Sequence, residues 1–378
     1  MRPILLPSSL ARAGRLRLVI ESVDDHVVRR VGGWSEHPDE VASYADPSAS
    51  PADAPRLLTV LDAQLQSRHL DLAARWLQQR GEGFYTIASA GHESNAAVAT
   101  ALRPTDPALL HYRSGGFYAA RAGQVPGSTP VRDVLAGLAA ATSDPISGGR
   151  HKVFGNRALA VLPQTSTIGS HLPRAVGLAF SLGRAAALGL STGWPEDAVV
   201  VTSFGDASAN HSTTVGALNA AAYCTTRGVP VPLLLVCEDN GLGISVPTPP
   251  GWLEQALARW PGIDRVAVDG TRPADLLHRA EAAVRTVREE RRPVLLHLRT
   301  VRFLGHAGSD VELGYRSRTE VLRDYERDPL LATAATLVRL GALAPGQVLE
   351  RYEKARTQVL AEAGRFAGAP RLPDASAV

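Results

Sequence analysis

Between residues 56 and 80 the apolar side chains Leu57, Leu58, Val60, Leu61, Leu65, Leu70, Leu72, Trp76 and Leu77 recur at three- and four-residue intervals. That spacing predicts a helix with one buried stripe, ended by Gly81 and Gly83. Further along, the pattern changes from stripes to unbroken runs. Residues 198–204 are apolar apart from two small hydroxyls, residues 231–237 form a second run and 292–301 a third, the last preceded by charged helical turns at 281–291. Unbroken apolar runs belong to strands buried on both faces, and helical stretches between them predict a parallel α/β sheet with helices on both sides. Residues 347–367 read as a surface helix, 368–378 as a frayed tail, and the Pro-, Ala-, Ser- and Asp-rich stretch 46–55 as a linker or surface arm. These boundaries divide the chain into an extension (1–55), a main domain (56–330) and a C-terminal helical segment (331–378).

Ligands of open parallel sheets bind beyond the carboxyl ends of the strands. The first run exits into Gly205-Asp206-Ala207-Ser208-Ala209-Asn210, and the second into Glu238-Asp239-Asn240-Gly241-Leu242-Gly243-Ile244-Ser245. Both exits are small and polar. A carboxylate from one, an amide oxygen from the other and a loop carbonyl suit a hard cation such as Mg²⁺, which is commonly shared with a diphosphate. Gly205, Ala207, Gly241 and Gly243 let the backbone approach phosphate oxygens. Taken singly, Gly-Asp and Asp-Asn-Gly are ordinary turns. Paired after two buried strands, they point to a phosphate or diphosphate site in an α/β protein.

Composition narrows the partners. The 378 residues are 45% hydrophobic, enough for one large domain or two small ones. Forty basic against 37 acidic residues give a net charge of +3, with no basic cluster of the kind nucleic acid requires. The two cysteines, Cys224 and Cys237, sit in apolar surroundings and form no metal motif, so buried free thiols and a reducing, cytoplasmic setting are expected. The apolar run at residues 4–6 is too short for a signal peptide, and no stretch is long enough for a membrane span.

Gly205-Asp206-Ala207 followed by Asn240 resembles the thiamine-diphosphate signature, which begins Gly-Asp-Gly and ends in Asn. The separation is 34 positions, the difference between 240 and 206, and several residues longer than usual; the excess is placed near Arg227-Gly228-Val229-Pro230. Three further segments resemble alpha subunits of 2-oxo acid dehydrogenases in the same order: His111-Tyr112-Arg113, the stretch from Gln164 to Gly177, and the loop from Arg302 through His306 to Asp310 with Tyr315-Arg316-Ser317. Four ordered matches over roughly residues 55–330 are far more specific than one motif.

The resemblance implies the thiamine-diphosphate-binding fold and oxidative decarboxylation of a 2-oxo acid, with the acyl group passed to lipoyl on a dihydrolipoyl acyltransferase. It implies Mg²⁺ held by Asp206, Asn240 and the carbonyl of Leu242. Tyr112, Arg113 and His306 would contact the diphosphate, with Gly205, Ala207 and Ser208 beside it. Ser166 would lie near the aminopyrimidine and Ile168 beneath the cofactor, and His306 would also act in the chemistry, as an acid or base titrating near neutrality. Glu93 and His151 fall in matched segments, Glu93 being the internal candidate for the activating carboxylate. In this family that carboxylate comes from a beta subunit, so a two-alpha two-beta heterotetramer is expected. The sequence departs from the family at Glu238, where an Arg that binds diphosphate or a Gln often stands, and at Ala307, the position of a phosphorylated Ser in mitochondrial members. Branched-chain 2-oxo acids are the first substrate expectation, with pyruvate or acetoin dehydrogenase as alternatives. A nucleotide-binding dehydrogenase would need a Gly-x-Gly-x-x-Gly after an early strand, which is absent; a non-catalytic scaffold would have no reason to keep Asp206, Asn240, Arg113 and His306 together.

Overall fold

The three apolar runs become three adjacent strands. In the computed structural model, which describes residues 21–84, 86–165 and 167–378, the helices before the sheet centre are α1 (Val23–Gly33), α2 (Pro38–Tyr44), α3 (Ala54–Gln79) and α4 (Asn95–Thr100). Strand β1 (Ala108–Leu109) is followed by α5 (Gly115–Gly123), α6 (Pro130–Leu138) and α7 (His171–Ala187). Then come β2 (Val200–Gly205), α8 (Ser212–Thr226), β3 (Leu233–Asp239), the small hairpin β4 (Leu242–Gly243) and β5 (Val246–Pro247), α9 (Trp252–Ala258) and β6 (Asp264–Asp269). The chain closes with α10 (Pro273–Glu290), β7 (Val294–Arg299), α11 (Arg318–Tyr325), α12 (Pro329–Arg339) and α13 (Pro345–Phe366).

The main sheet has the order β1-β2-β3-β7-β6, and every neighbouring pair is parallel. Side chains alternate across it. Val201, Leu234, Val236, Leu296 and Leu298 face a layer of α3, α4, α5, α6, α10 and α13. Val200, Leu233, Leu235, Cys237 and Leu295 face α7, α8 and α9. Both faces are covered, which is why these strands read as unbroken apolar runs. Strands β1 and β6 lack such a run: β1 is two residues long, and β6 is an edge strand with several exposed positions.

Three expectations are corrected. Residues 46–55 are neither linker nor arm. Asp46 is buried and accepts hydrogen bonds from the backbone N–H groups of Ala274 and Asp275 at the start of α10. Together with α1 and α2 this stretch packs on α3, α12 and α13 in one apolar cluster containing Val27, Trp34, Leu61, Leu331 and Tyr352. The tail is anchored as well: Thr142 N–H donates to the Pro370 carbonyl, and Arg371 pairs with Glu82. Helix α13 keeps its charged outer face but buries Val348, Tyr352, Val359, Ala363 and Phe366. Cys237 is buried, Cys224 is half-buried, and neither is paired. Among the described residues no helix is long and apolar enough to cross a membrane.

Candidate active site

Parallel pairing places Gly205 opposite Glu238, so β2 and β3 release their chains side by side. The two exits form one wall of a cleft of about 570 Å³, within the range of small-molecule sites. Of the residues singled out from the sequence, Tyr112, Arg113, Ile168, Gly205, Asp206, Ala207, Ser208, Asn240, Leu242 and His306 all line it. Ser166 lies outside the described residues. His151 is exposed and does not line the cleft.

Asp206 is only 2% exposed, yet no basic side chain is paired with it among the described residues. Its side-chain donor is the Thr248 hydroxyl, which reaches it from the segment just after β5. Burial pushes its carboxyl above the usual carboxylate range, with the Thr248 hydrogen bond opposing and the Asp239 charge adding to the rise. A buried carboxylate without a counter-charge is a place for a cation. Beside it, the Asn240 Oδ1 accepts from the Leu242 N–H at 3.0 Å, and the Asn240 Nδ2 lies 2.9 Å from His92 Nε2. A Cβ at Gly243 would come within 2.9 Å of the Ala207 side chain; the two strand exits touch, and only a glycine fits.

The same cleft carries a basic group. Arg113 is buried, stacks over the Tyr112 ring with its guanidinium carbon 5.3 Å from the centroid, and donates from Nη2 to His306 Nδ1 at 3.1 Å. His306 is half-buried. Burial, then the Arg113 and Arg302 charges, lowers its pKa to about 4. It is therefore a neutral imidazole at physiological pH, not the near-neutral titrating group the sequence suggested. Its loop is tied down through Arg302 and Asp310: Arg302 donates to the Ile244 carbonyl at 2.7 Å and to Tyr315 Oη at 2.6 Å, Tyr315 donates to Asp310 at 2.5 Å, and Asp310 accepts from the His306 backbone N–H at 2.6 Å. Ile168 projects into the cleft at 38% exposure.

Glu93 is no active-site carboxylate. It is fully buried, paired at 2.5 Å with Arg68, which also holds Asp328 at the start of α12. Among the described lining residues the only acid is Asp206. Sequence reasoning assigned no role to His92, His111 or His171, which also line the cleft, and none to Glu238 beyond its departure from the family; Glu238 sits behind the cleft. Glu238 is buried with His92 Nδ1 at 2.7 Å and His111 Nε2 at 3.5 Å. Burial raises its pKa, but the His111 and His92 contacts outweigh this and hold the carboxyl low. The strand period of two does place Glu238 on the same face as Leu234 and Val236; nothing local shows which side chains meet it there.

The sheet, the paired strand exits and the buried carboxylate in one cleft with a basic group define an α/β protein with a candidate ligand site at the carboxyl ends of its strands. The sequence profile of the dehydrogenase E1 component family matches residues 62–375, and the chain belongs to that family. It is 31% identical over 253 residues to the 2-oxoisovalerate dehydrogenase subunit alpha 2 of Arabidopsis thaliana, covering 65% of this chain and 48% of that protein. It is 27% identical over 282 residues to the pyruvate dehydrogenase E1 component subunit alpha of Sminthopsis macroura (72% and 69% covered), and 26% identical over 324 residues to the human somatic form (81% and 74%). The chain thus spans about half the length of the first of these relatives.

Proposed function

We propose that the cleft binds thiamine diphosphate with Mg²⁺ and that this chain is the alpha half of a 2-oxo acid dehydrogenase. The observation that carries the reading is the buried, uncompensated Asp206 carboxylate beside Asn240, in one cleft with the Arg113–His306 pair. Asp206, Asn240 Oδ1 and the Leu242 carbonyl would hold the cation; Tyr112, Arg113 and His306 would hold the diphosphate; Ile168 would support the cofactor from below. The bound cofactor supplies the electron sink for loss of carbon dioxide, and the protein supplies binding, orientation and exclusion of water. With Nδ1 engaged by Arg113, neutral His306 keeps its proton on Nε2 and offers it as a hydrogen-bond donor to the diphosphate or the acyl group.

Activation of the cofactor in this family needs a carboxylate beside the pyrimidine. With Asp206 committed to the metal and Glu93 locked on Arg68, that group is assigned to a beta subunit, in a two-alpha two-beta assembly that hands its acyl group to a lipoyl-bearing dihydrolipoyl acyltransferase. Exposed Ile244 and Val246, on the hairpin at the cleft wall, are available to that partner. Branched-chain 2-oxo acids are the favoured substrates and pyruvate the second; relatives named for each match at similar identity. Turnover of the alpha–beta pair over a panel of 2-oxo acids with an artificial electron acceptor ranks them.

The metal assignment has its own test. Asp206→Ala abolishes Mg²⁺-dependent binding of thiamine diphosphate and leaves the fold intact. Trp252, whose Nε1 donates to the cleft residue Asn210 at 2.8 Å, reports binding by fluorescence. Unchanged cofactor affinity in the variant removes Asp206 from the site. Strong decarboxylation by the alpha chain alone would refute the half-site reading.

A further inference from the structure

We propose that Glu238 and His92 are positioning residues that fix which end of the Asn240 amide faces the cation; the inference rests on the metal site proposed above. Asn240 is the one proposed side-chain ligand with two chemically different ends. Its oxygen can ligate, whereas its NH₂ group turned to the metal would repel it. A buried chain of hydrogen bonds, read from its two backbone ends, leaves only one orientation.

At one end, the Phe117 backbone N–H can only donate, and it donates to Asn95 Oδ1 at 2.7 Å. The NH₂ group of Asn95 therefore faces Glu238, 3.3 Å from Oε2. At the other end, the Leu242 backbone N–H donates to Asn240 Oδ1 at 3.0 Å. The NH₂ group of Asn240 therefore points to His92 Nε2 at 2.9 Å, making that nitrogen the acceptor. A neutral imidazole with an accepting Nε2 carries its proton on Nδ1, and Nδ1 faces Glu238 Oε2 at 2.7 Å. The two ends agree. The Arg113 backbone N–H occupies His111 Nδ1 at 3.0 Å and puts the His111 proton on Nε2, which lies 3.5 Å from Oε1 without forming a hydrogen bond to it. Asn95 and His92 are 1% exposed and Glu238 0%, so water does not substitute along the chain. Outer-shell partners of this kind set ligand orientation at metal sites. The polarity also explains why an acid is tolerated at position 238: it accepts from Asn95 and His92 and sits behind the cleft.

The test removes the acceptor that anchors the polarity. Glu238→Leu leaves His92 Nδ1 with nothing to donate to, so His92 is free to carry its proton on Nε2 and to drive the Asn240 amide to turn over. Glu238→Gln is the conservative variant: with its amide oxygen at the Oε2 position it still accepts from Asn95 and His92. Mn²⁺ serves as the probe, with the full alpha chain, its beta partner and saturating thiamine diphosphate; free Mn²⁺ is counted by its electron paramagnetic resonance signal. Mn²⁺ affinity falls roughly 10- to 100-fold in Glu238→Leu, the range for lost outer-shell partners. Adding Asn240→Asp to that variant restores affinity to within about threefold of the unsubstituted protein, because both ends of a carboxylate accept. Glu238→Gln stays within about threefold, and so does His92→Gln, whose amide donates with one end and accepts with the other. Melting curves accompany each variant. Unsubstituted protein that binds no Mn²⁺ in the presence of the cofactor overturns the metal site itself, and this inference with it. Normal binding by the unsubstituted protein together with unweakened binding by Glu238→Leu overturns the positioning role alone. So does a Glu238→Leu loss that Asn240→Asp does not repair.

Discussion

His306 shows how a neighbour changes a residue's chemistry. Its sequence context, between Gly305 and Ala307-Gly308, suggested an exposed imidazole titrating near neutrality. In the fold, burial and the Arg113 guanidinium lower its pKa to about 4, so it accepts from Arg113 at one nitrogen and carries its proton on the other. His306→Ala removes both and lowers turnover of the alpha–beta pair by roughly 10²–10³-fold, the range for a lost active-site hydrogen-bond donor. Stability falls by only about 1 kcal/mol, the net worth of one hydrogen bond. His306→Gln, which accepts from Arg113 and still presents N–H groups, retains more activity than His306→Ala. Steady-state rates and melting curves on the same preparations decide; equal loss in both variants would mean that the imidazole itself is required.

At the level of elements, the site depends on how the turn before α4 crosses the exit of β7. Gly91 sits at φ +95°, and a Cβ there would lie 2.4 Å from the Val301 carbonyl oxygen. Its own carbonyl accepts from Thr300, and Phe303 N–H donates to Ala90 O at 3.0 Å. The crossing joins the segment carrying His92 to the strand that leads into the His306 loop. Gly91→Ala combines an unfavourable φ with a backbone clash and destabilises the chain by about 2–4 kcal/mol. Gly364, in the exposed part of α13, meets nothing within 4 Å, so Gly364→Ala stabilises by about 0.5–1 kcal/mol through helix propensity and loss of unfolded-state freedom. Urea midpoints with unchanged slopes check both signs.

For the whole molecule, several imidazoles stay neutral inside the fold. Burial lowers His69 to about 3 and His171 to about 4. Between those values and about 6.5 the unfolded chain binds more protons at these sites than the native one, so their contribution to stability is complete above pH 6.5 and is lost as the pH falls toward 3. Asp71 works the other way. Burial and the Glu93 charge raise it to about 7, and it favours the fold more as the pH drops below 7. His69→Phe, beside Tyr352 in an aromatic setting, isolates one contribution. Its melting temperature falls less steeply between pH 6.5 and 4.5 than that of the unsubstituted protein. Parallel pH curves would show that His69 does not carry this dependence.

The parts that the sequence determined by itself are those in which local pattern and burial coincide. Strands β2, β3 and β7, covered on both faces, had to read as unbroken apolar runs, and Asp206 and Asn240 could be picked out because they stand at the ends of two of them. Helix α3 was legible for the same reason, through its stripe. The edge strands β1 and β6 were not legible, since one is too short and the other too exposed for a run to form. Nor was the packing of α1 and α2, whose apolar positions find their partners on α13 and α12, about 300 residues away. Tertiary structure alone decided the protonation and orientation of the site. Glu93 became a buried partner of Arg68, and Glu238 meets His92 across 146 positions. Hydrogen-bond polarity and desolvation act between groups in contact through space, and no spacing along the chain records which groups those are.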